Sequence, residues 1–357
     1  MRRTTKFAAA LTAGVLSLAI TACGSSDDTA SDDSSSSTSA KSDIKVGMAY
    51  DIGGRGDQSF NDMAAAGLDK AKSEFGIETS ESEAAPDEAD SAKEDRLVQL
   101  AEAGYNPIVA VGFAYDAAVA KVAPQYPDTS FAIVDDAPVD ADGKPFDNVV
   151  PLLFTEEQGS FLVGAAAALK SKSGTIGFVG GVEEPLIKKF EAGYDAGAKA
   201  VNPSIKVLST YLSQPPDFSG FGDPAKGKTA AAGQFDQGAD VVYHAAGGSG
   251  QGVFEAAKAA GGLAIGVDSD QYLTASDDLK PFILTSMQKH VDVAVYDFIK
   301  AFVDGKPLSG TQTFDLKSGG VAYSTSGGQV DDIKSKLDDY AAKIISGEIT
   351  VPTEVTK

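Results

Sequence analysis

The sequence has little of the chemistry on which many enzymes depend. It contains one cysteine, Cys23, no tryptophan and only two histidines, His244 and His290, among 357 residues. A single cysteine forms no intrachain disulfide, and a histidine-based metal site or a Ser-His-Asp triad has few candidate residues. The sequence therefore argues against an enzyme, and it predicts neither a cofactor nor a metal site.

Positive charge is also scarce. The chain has 30 Lys and Arg residues against 51 Asp and Glu residues, which gives a formal net charge of −21. Strong acidity without a basic patch argues against nucleic acids and anionic membrane surfaces as partners.

No hydrophobic run is long enough to make a permanent membrane span. The apolar run at residues 7–20 follows a basic start and ends in Ile20-Thr21-Ala22-Cys23-Gly24. This arrangement is typical of a bacterial export signal, whereas a spanning helix needs about 20 apolar residues. We predict a lipoprotein signal peptide at residues 1–22, with a diacylglyceryl group on Cys23. The alternative is an idle thiol in an ordinary signal peptide.

A low-complexity segment follows the cysteine. Residues 24–43 contain only Ser, Asp, Ala, Thr, Gly and Lys. Such a segment cannot bury enough apolar surface to offset its ordering entropy. We predict that residues 23–43 are a disordered, lipid-anchored tether that holds the rest of the chain at the extracytoplasmic face of the cell membrane.

From residue 44 onward, short β-branched runs alternate with longer Ala-rich amphipathic segments. The pattern predicts strands at 44–50, 107–111, 130–134, 175–179, 205–211, 240–244, 263–267 and 282–286. It predicts helices at 58–75, 88–103, 115–123, 156–171, 185–200, 224–236, 249–260, 291–303 and 331–346. This alternation is typical of α/β proteins with parallel sheets and right-handed crossovers. Because it runs twice, we predict two doubly wound lobes.

The loops after the strands carry the distinctive residues. Open parallel sheets bind ligands beyond the carboxyl ends of their strands, so two facing lobes form a cleft lined by these loops. Carboxylates and glycines are concentrated there, in the segments 51–61 (DIGGRGDQSFN), 134–136 (VDD), 246–250 (AGGSG), 268–270 (DSD) and 285–289 (TSMQK).

Together with GFVGG at 177–181 and FEAGY at 190–194, these motifs resemble the BMP family over residues 44–304. This family comprises the basic membrane lipoproteins, or PnrA-like nucleoside-binding proteins of ABC importers. The resemblance implies a type I periplasmic-binding-protein fold, with two lobes joined by a hinge and a purine nucleoside bound between them. It also implies permease and ATPase partners for a monomeric, non-catalytic receptor.

The resemblance further implies a role for particular side chains. The base would stack between Phe60, in the Ser-Phe-Asn motif, and Phe221, in FGDPAKGK. Carboxylates, an amide, a lysine and two backbone N–H groups would contact the ribose and the base edge. These residues are Asp51, Asp136, Asp268, Asn61, Lys289, Gly247 and Gly248.

Several of these side chains could instead serve the fold alone. Phe60 can also be a core residue of the first helix. The loop before Phe221 is longer than is usual in the family, so Phe218 competes for the same role. Asp51 can serve as a helix cap, and Lys289 can simply pair with an acidic neighbour.

The loops and the ligand class leave further choices open. Either Asp135 or Asp136 can be a cap, and GGSGQG at 247–252 resembles a phosphate cradle but lacks the P-loop lysine. Arg55-Gly56 replaces the family's more usual Ile-Asp, which leaves the ligand preference open. A sugar or autoinducer receptor of the same fold and a nucleoside-cleaving enzyme are the competing functions.

The lobed plan predicts the domain limits. We assign residues 44–153 and about 285–312 to the N-terminal lobe. Residues 154–284 and about 313–357 then form the C-terminal lobe. Several crossovers make a hinge, so a ligand should select a closed form.

Overall fold

The computed structural model describes residues 43–85 and 88–355. The predicted signal peptide, Cys23 and all but the last residue of the predicted tether lie outside the described residues. Within those two ranges, no helix combines the length and apolar character needed to cross a lipid bilayer.

The elements follow one another as alternating strands and helices. The first are β1 (Lys45–Tyr50), α1 (Phe60–Phe75), β2 (Glu78–Glu83), α2 (Asp90–Glu102), β3 (Ile108–Ala110), α3 (Asp116–Val122), β4 (Phe131–Val134) and β5 (Val149–Phe154). Next are α4 (Glu156–Lys170), β6 (Thr175–Val182), α5 (Pro185–Val201), β7 (Lys206–Ser213), α6 (Pro224–Asp236), β8 (Val241–Ala245), α7 (Gly250–Ala260), β9 (Leu263–Asp268), α8 (Gln271–Thr274) and β10 (Ile283–Lys289). The last are α9 (Val291–Val303), β11 (Gln312–Phe314), β12 (Val321–Tyr323) and α10 (Lys334–Ile345).

Among the described residues, two six-stranded sheets define the two lobes. The N-terminal sheet has the order β11-β5-β4-β3-β1-β2, and the C-terminal sheet has the order β12-β10-β9-β8-β6-β7. Neighbouring strands are parallel, except that β12 pairs antiparallel with β10. The prediction of an α/β protein with two doubly wound lobes is confirmed.

Helices cover both faces of each sheet, so the central strands are largely buried. In β1, residues 46–50 are all buried, as expected for a parallel strand between two helical layers. Leu68 of α1 and Val295 of α9 share one apolar cluster with Met48 on one face of the N-terminal sheet. Leu97 of α2 belongs to the cluster on the opposite face.

Three strands of the N-terminal sheet are absent from the sequence prediction: β2, β5 and the three-residue β11. Strand β2 is the polar segment ETSESE at the sheet edge, where no buried face imposes an alternating pattern. Strand β5 contains Pro151, and proline within an apolar run argues against a strand. The helix predictions for residues 224–236 and 291–303 coincide with α6 and α9.

The chain crosses between the lobes three times. The first crossing joins β5 to α4, close to residue 154. The second and third crossings lie a few residues later than predicted. Strand β10 belongs wholly to the C-terminal sheet, so the boundary drawn at about 285 moves to His290. Strand β11 pairs with β5, so the boundary drawn at about 313 follows Phe314.

Candidate ligand-binding site

A cavity lies between the lobes at the carboxyl ends of the strands. Its lining contains four carboxylates, one ammonium group and four phenyl rings. The lining residues are Asp51, Ile52, Asp57, Phe60, Asn61, Phe113, Asp135, Leu186, Ile187, Phe190, Phe221, Ala245, Gly247, Val267, Asp268 and Lys289.

The loop between β1 and α1 is held by its own polar side chains. The Asp57 carboxylate accepts backbone N–H groups of Ser59, Asn61 and Asp62 at 2.9–3.1 Å, and so caps α1. Asn61 Oδ1 accepts the Asp51 backbone N–H at 3.0 Å, and its Nδ2 donates to Asp57 Oδ2 at 3.1 Å. Asn61 thus lines the cavity while its amide is engaged within the loop.

Asp51 presents a buried carboxylate to the cavity. Its Oδ1 accepts the N–H of Ile52 at 2.7 Å. Burial raises the pKa of Asp51 to about 6. Gly112 makes this position possible, because a Cβ there would lie 2.4 Å from Asp51 Oδ2.

Of the two consecutive aspartates after β4, Asp135 lines the cavity and Asp136 does not. Asp135 has a φ of 73°, a left-handed conformation that is rare outside glycine and clusters at functional sites. Among the described residues, its Oδ1 is buried without a hydrogen-bond partner. Asp136 Oδ1 instead accepts the N–H of Ala137 at 2.7 Å. The structure therefore places Asp135, rather than the predicted Asp136, at the cavity.

Lys289, the last residue of β10, joins the two lobes at the floor of the cavity. Its Nζ lies 2.6 Å from Asp135 Oδ2 and 3.0 Å from Glu156 Oε1, and its side chain is 1% exposed. Burial alone would lower the pKa of Lys289, but Asp135 and Glu156 outweigh burial and raise it. Burial raises the pKa of Asp135, and Lys289 opposes that shift. The lysine therefore stays charged at neutral pH.

Asp268 occupies in the C-terminal sheet the place that Asp135 occupies in the N-terminal sheet. Each lies at the end of the third strand of its sheet order, and Asp268 also has a left-handed φ, 63°. Ser59 Oγ donates to Asp268 Oδ2 at 2.6 Å across the cleft. Burial raises the pKa of Asp268 to about 6.

Four phenylalanines contribute the aromatic surface of the cavity. Phe60 comes from the first turn of α1, and Lys289 Nζ lies 5.3 Å from its ring centroid. Phe221 packs edge-to-face on Phe113, with ring centroids 6.3 Å apart. Phe218 also packs on Phe113, at 5.9 Å, but it does not line the cavity.

Of the two consecutive glycines after β8, one lines the cavity and the other does not. Gly247 lines the cavity with a φ of 51°, whereas Gly248 does not line it. A Cβ on Gly248 would lie 3.5 Å from the Phe221 carbonyl oxygen and 3.9 Å from Asp57 Cβ, so this residue faces the Phe221 backbone and the β1–α1 loop.

Of the nine predicted ligand-binding residues, the structure brings seven to the cavity and leaves Asp136 and Gly248 outside it. The seven are Asp51, Phe60, Asn61, Phe221, Gly247, Asp268 and Lys289. The cavity is also lined by residues that were not among these nine. The polar ones are Asp57 and Asp135, and the apolar ones include Phe113 and three residues of α5: Leu186, Ile187 and Phe190. Their spacing, i, i+1 and i+4, places the α5 residues on one helix face and is visible in the sequence.

Comparison with known proteins identifies the family. The family model for the Bmp proteins, described as PnrA-like ABC transporter substrate-binding proteins, matches residues 44–354. The chain belongs to the Bmp family. Members are substrate-binding proteins of ABC transporters rather than enzymes, and that role implies permease and ATPase partners.

Individual relatives agree with this assignment. The CD4+ T-cell-stimulating antigen of Listeria monocytogenes is 37% identical, covering 93% of each chain. The ABC transporter nucleoside-binding protein BmpA of Lactococcus lactis is 36% identical, covering 88% of this chain and 90% of that one. An ABC transporter solute-binding protein of Aeropyrum pernix has a TM-score of 0.74 at 32% identity, covering 87% and 94% of the respective chains. The predicted periplasmic-binding-protein fold is confirmed.

Proposed function

We propose that this Bmp-family protein captures purine nucleosides between its lobes and delivers them to an ABC importer. The observation that carries the proposal is the pairing of aromatic and acidic groups in one cavity. Phe60 and Phe221 provide apolar ring faces, and Asp51, Asp135 and Asp268 provide buried acceptors. A nucleoside has a flat base and a polyhydroxylated sugar, and it matches both kinds of surface.

The carboxylates suit the hydroxyl groups of a ribose. Asp135 Oδ1 has no hydrogen-bond partner among the described residues, so it can accept from a hydroxyl without breaking an existing bond. A charged acceptor forms stronger hydrogen bonds than a neutral one, and leaving it unsatisfied in a buried site is unfavourable. The excess of carboxylates over Lys289 also disfavours a phosphorylated ligand, because like charges would meet in a buried space.

The phenyl rings suit a base. Aromatic pairs favour offset or edge-to-face packing and contribute about 0.5–1.5 kcal/mol beyond the buried area. Lys289 lies among the rings of three phenylalanines, at 5.0–5.5 Å from the ring centroids. Its ion pairs hold the carboxylates of Asp135 and Glu156 beside these rings. The Lactococcus relative is described as nucleoside-binding, which agrees with this choice of ligand.

Anchoring by Cys23 would complete the transport role. Relatives described as lipoproteins or membrane proteins include those of Pyrococcus abyssi and Borrelia garinii. A diacylated Cys23 would hold the protein, as a monomer, on the extracytoplasmic face of the cell membrane. There it would deliver its ligand to the permease and ATPase subunits.

A second candidate, a sugar or autoinducer receptor, is favoured by the same carboxylates. Sugar hydroxyls would satisfy Asp135 and Asp268 as well as ribose does. The four phenyl rings then need another explanation, because a sugar does not require two separate aromatic walls. This candidate therefore accounts for fewer of the lining residues.

Mass spectrometry of the small molecule released from natively purified protein tests the proposal. We expect an intact purine nucleoside. Free base together with ribose would indicate an enzyme, and a free sugar or autoinducer would support the second candidate.

A variant in α1 tests the aromatic wall. Phe60→Leu keeps apolar volume but removes the ring face, so nucleoside affinity should fall roughly two- to tenfold. Phe75→Leu is the matched control, because Phe75 lies in the same helix but outside the cavity. Equal effects of the two variants would contradict the assignment of Phe60.

A further inference from the structure

Gln58, immediately before the Ser-Phe-Asn motif, joins the lobes outside the ligand cavity. It has a left-handed φ of 54°, a conformation that is unfavourable for a residue other than glycine. In this conformation its backbone carbonyl faces the C-terminal lobe and accepts two hydrogen bonds. Ser269 Oγ donates to it at 2.7 Å, and Gln271 Nε2 donates at 3.1 Å.

The Gln58 side chain makes a third contact between the lobes. Its Oε1 accepts from Gln251 Nε2, in the first turn of α7, at 2.8 Å. None of Gln58, Ser269, Gln271 and Gln251 lines the cavity. The three hydrogen bonds therefore form whether or not a ligand is bound, provided that the lobes are closed.

The C-terminal side of this contact is rigidly held. The Gln271 side chain is fully buried, and its Oε1 accepts the Val267 backbone N–H at 2.9 Å. The same Oε1 lies 3.0 Å from His244 Nε2, and the backbone N–H of Gln271 donates to Ser286 Oγ at 3.1 Å. Little side-chain freedom is lost when Gln271 meets Gln58, so more of the hydrogen-bond energy remains to favour closure.

We propose that Gln58, Ser269, Gln271 and Gln251 form a latch that favours the closed state without touching the ligand. With such a latch, part of the free energy that favours closure comes from contacts between the lobes rather than from the ligand. The apparent dissociation constant of a ligand that binds the closed state falls as the ligand-free closed fraction rises. Opening must break the latch, so it also slows ligand release. The four are positioning residues, and the inference holds for any ligand of the cleft.

The latch is tested on the full chain by single-molecule energy transfer between the lobes. A Cys23→Ser background removes the only native cysteine. Ala103→Cys and Ala259→Cys then place dyes at exposed positions after α2 and in α7. The transfer efficiency calculated for this structure identifies the closed population, and no ligand is added.

The test variant combines Ser269→Ala with Gln251→Ala, which removes two of the three hydrogen bonds and leaves Gln271 in place. The ratio of closed to open molecules should fall about tenfold, as expected for two hydrogen bonds of ordinary strength. The control combines Ser204→Ala with Gln237→Ala. Both side chains are exposed, and in the described part of the chain they hydrogen-bond only within the C-terminal lobe, so the ratio should change less than twofold.

Several results would overturn the latch. They are a wild-type protein with no closed population, a test variant with an unchanged ratio, and a control that shifts as much as the test variant. A double-mutant cycle of Gln58→Ala and Gln251→Ala gives an independent check, because the two substitutions remove the same hydrogen bond and should be non-additive.

Release of adenosine separates this inference from the proposed function. If adenosine binds, its release from the test variant should be about tenfold faster than from the wild type. If adenosine and other nucleosides fail to bind while the closed-to-open ratio still falls, the nucleoside assignment fails and the latch stands.

Discussion

Replacing Lys289 with methionine should lower the free energy of unfolding by about 3–5 kcal/mol at pH 7, as expected when a buried ion pair loses one partner. The Lys289 side chain is 1% exposed, and its Nζ lies 2.6 Å from Asp135 and 3.0 Å from Glu156. Methionine has a similar length and can remain among the surrounding phenyl rings. The destabilisation therefore arises because two buried carboxylates lose their counter-ion.

The destabilisation should shrink as the pH falls. Without Lys289, the pKa of a neighbouring carboxyl group, Asp135 foremost, rises further in the folded state. The folded variant then binds protons that the unfolded chain, with carboxyl pKa values near 4, does not bind, so its stability rises towards acid pH. In the wild type the pKa of Lys289 is raised, so Lys289 itself stays charged at neutral and acid pH alike, and the pH dependence of the difference comes from the carboxyl groups.

Urea unfolding of the wild type and Lys289→Met at pH 7 and pH 5 measures both effects. Adding Asp135→Asn and Glu156→Gln to Lys289→Met should restore much of the lost stability, because no uncompensated charge remains. Lys343→Met is the control, since Lys343 pairs with Asp339 on the surface and should show no measurable change. A loss below about 1 kcal/mol at pH 7, or one equally large at pH 5, would refute the reasoning.

Three further predictions concern ligand binding. Phe221→Ala should weaken nucleoside affinity about tenfold or more, whereas Phe218→Ala should change it less, because of these two residues only Phe221 lines the cavity. A larger loss of affinity in Phe218→Ala than in Phe221→Ala, measured by calorimetry, would contradict this. Asp135→Asn should weaken binding and Asp136→Asn should not, since the Asp136 carboxylate lies outside the cavity; equal losses would count against a ligand contact by Asp135 alone. Affinity should fall at least about tenfold between pH 7.5 and pH 5, because burial raises the pKa of both Asp51 and Asp268 to about 6 and a proton on either carboxylate removes an acceptor. A flat pH profile would show that ligand binding does not need the charged forms.

Much of the fold could be predicted because its hydrophobic pattern is strong. The alternation of buried strands and amphipathic helices identified α6 and α9 to the residue. The rule that ligands bind beyond the carboxyl ends of parallel strands also indicated the segments that contain Asp51, Asp268 and Lys289. Strand β2 could not be predicted, because its polar residues carry no signal of burial at a sheet edge.

The site was less predictable where backbone conformation decides which side chain points inward. Asp135 and Asp136 are adjacent and chemically identical, and the left-handed φ of Asp135 turns that residue to the cavity. Likewise, the 3₁₀ turn at Ser219–Phe221 places Phe221 rather than Phe218 at the wall. These choices depend on tertiary contacts such as that between Lys289 and Asp135, which the local sequence does not encode.

Calorimetric titration of protein refolded to remove bound ligand tests the central claim most directly. The titrants are adenosine, guanosine, inosine, cytidine and ribose. We expect tight, saturable heat with at least one purine nucleoside and none with ribose. Binding of a free sugar, with no heat from any nucleoside, would leave the fold intact and contradict the proposed function.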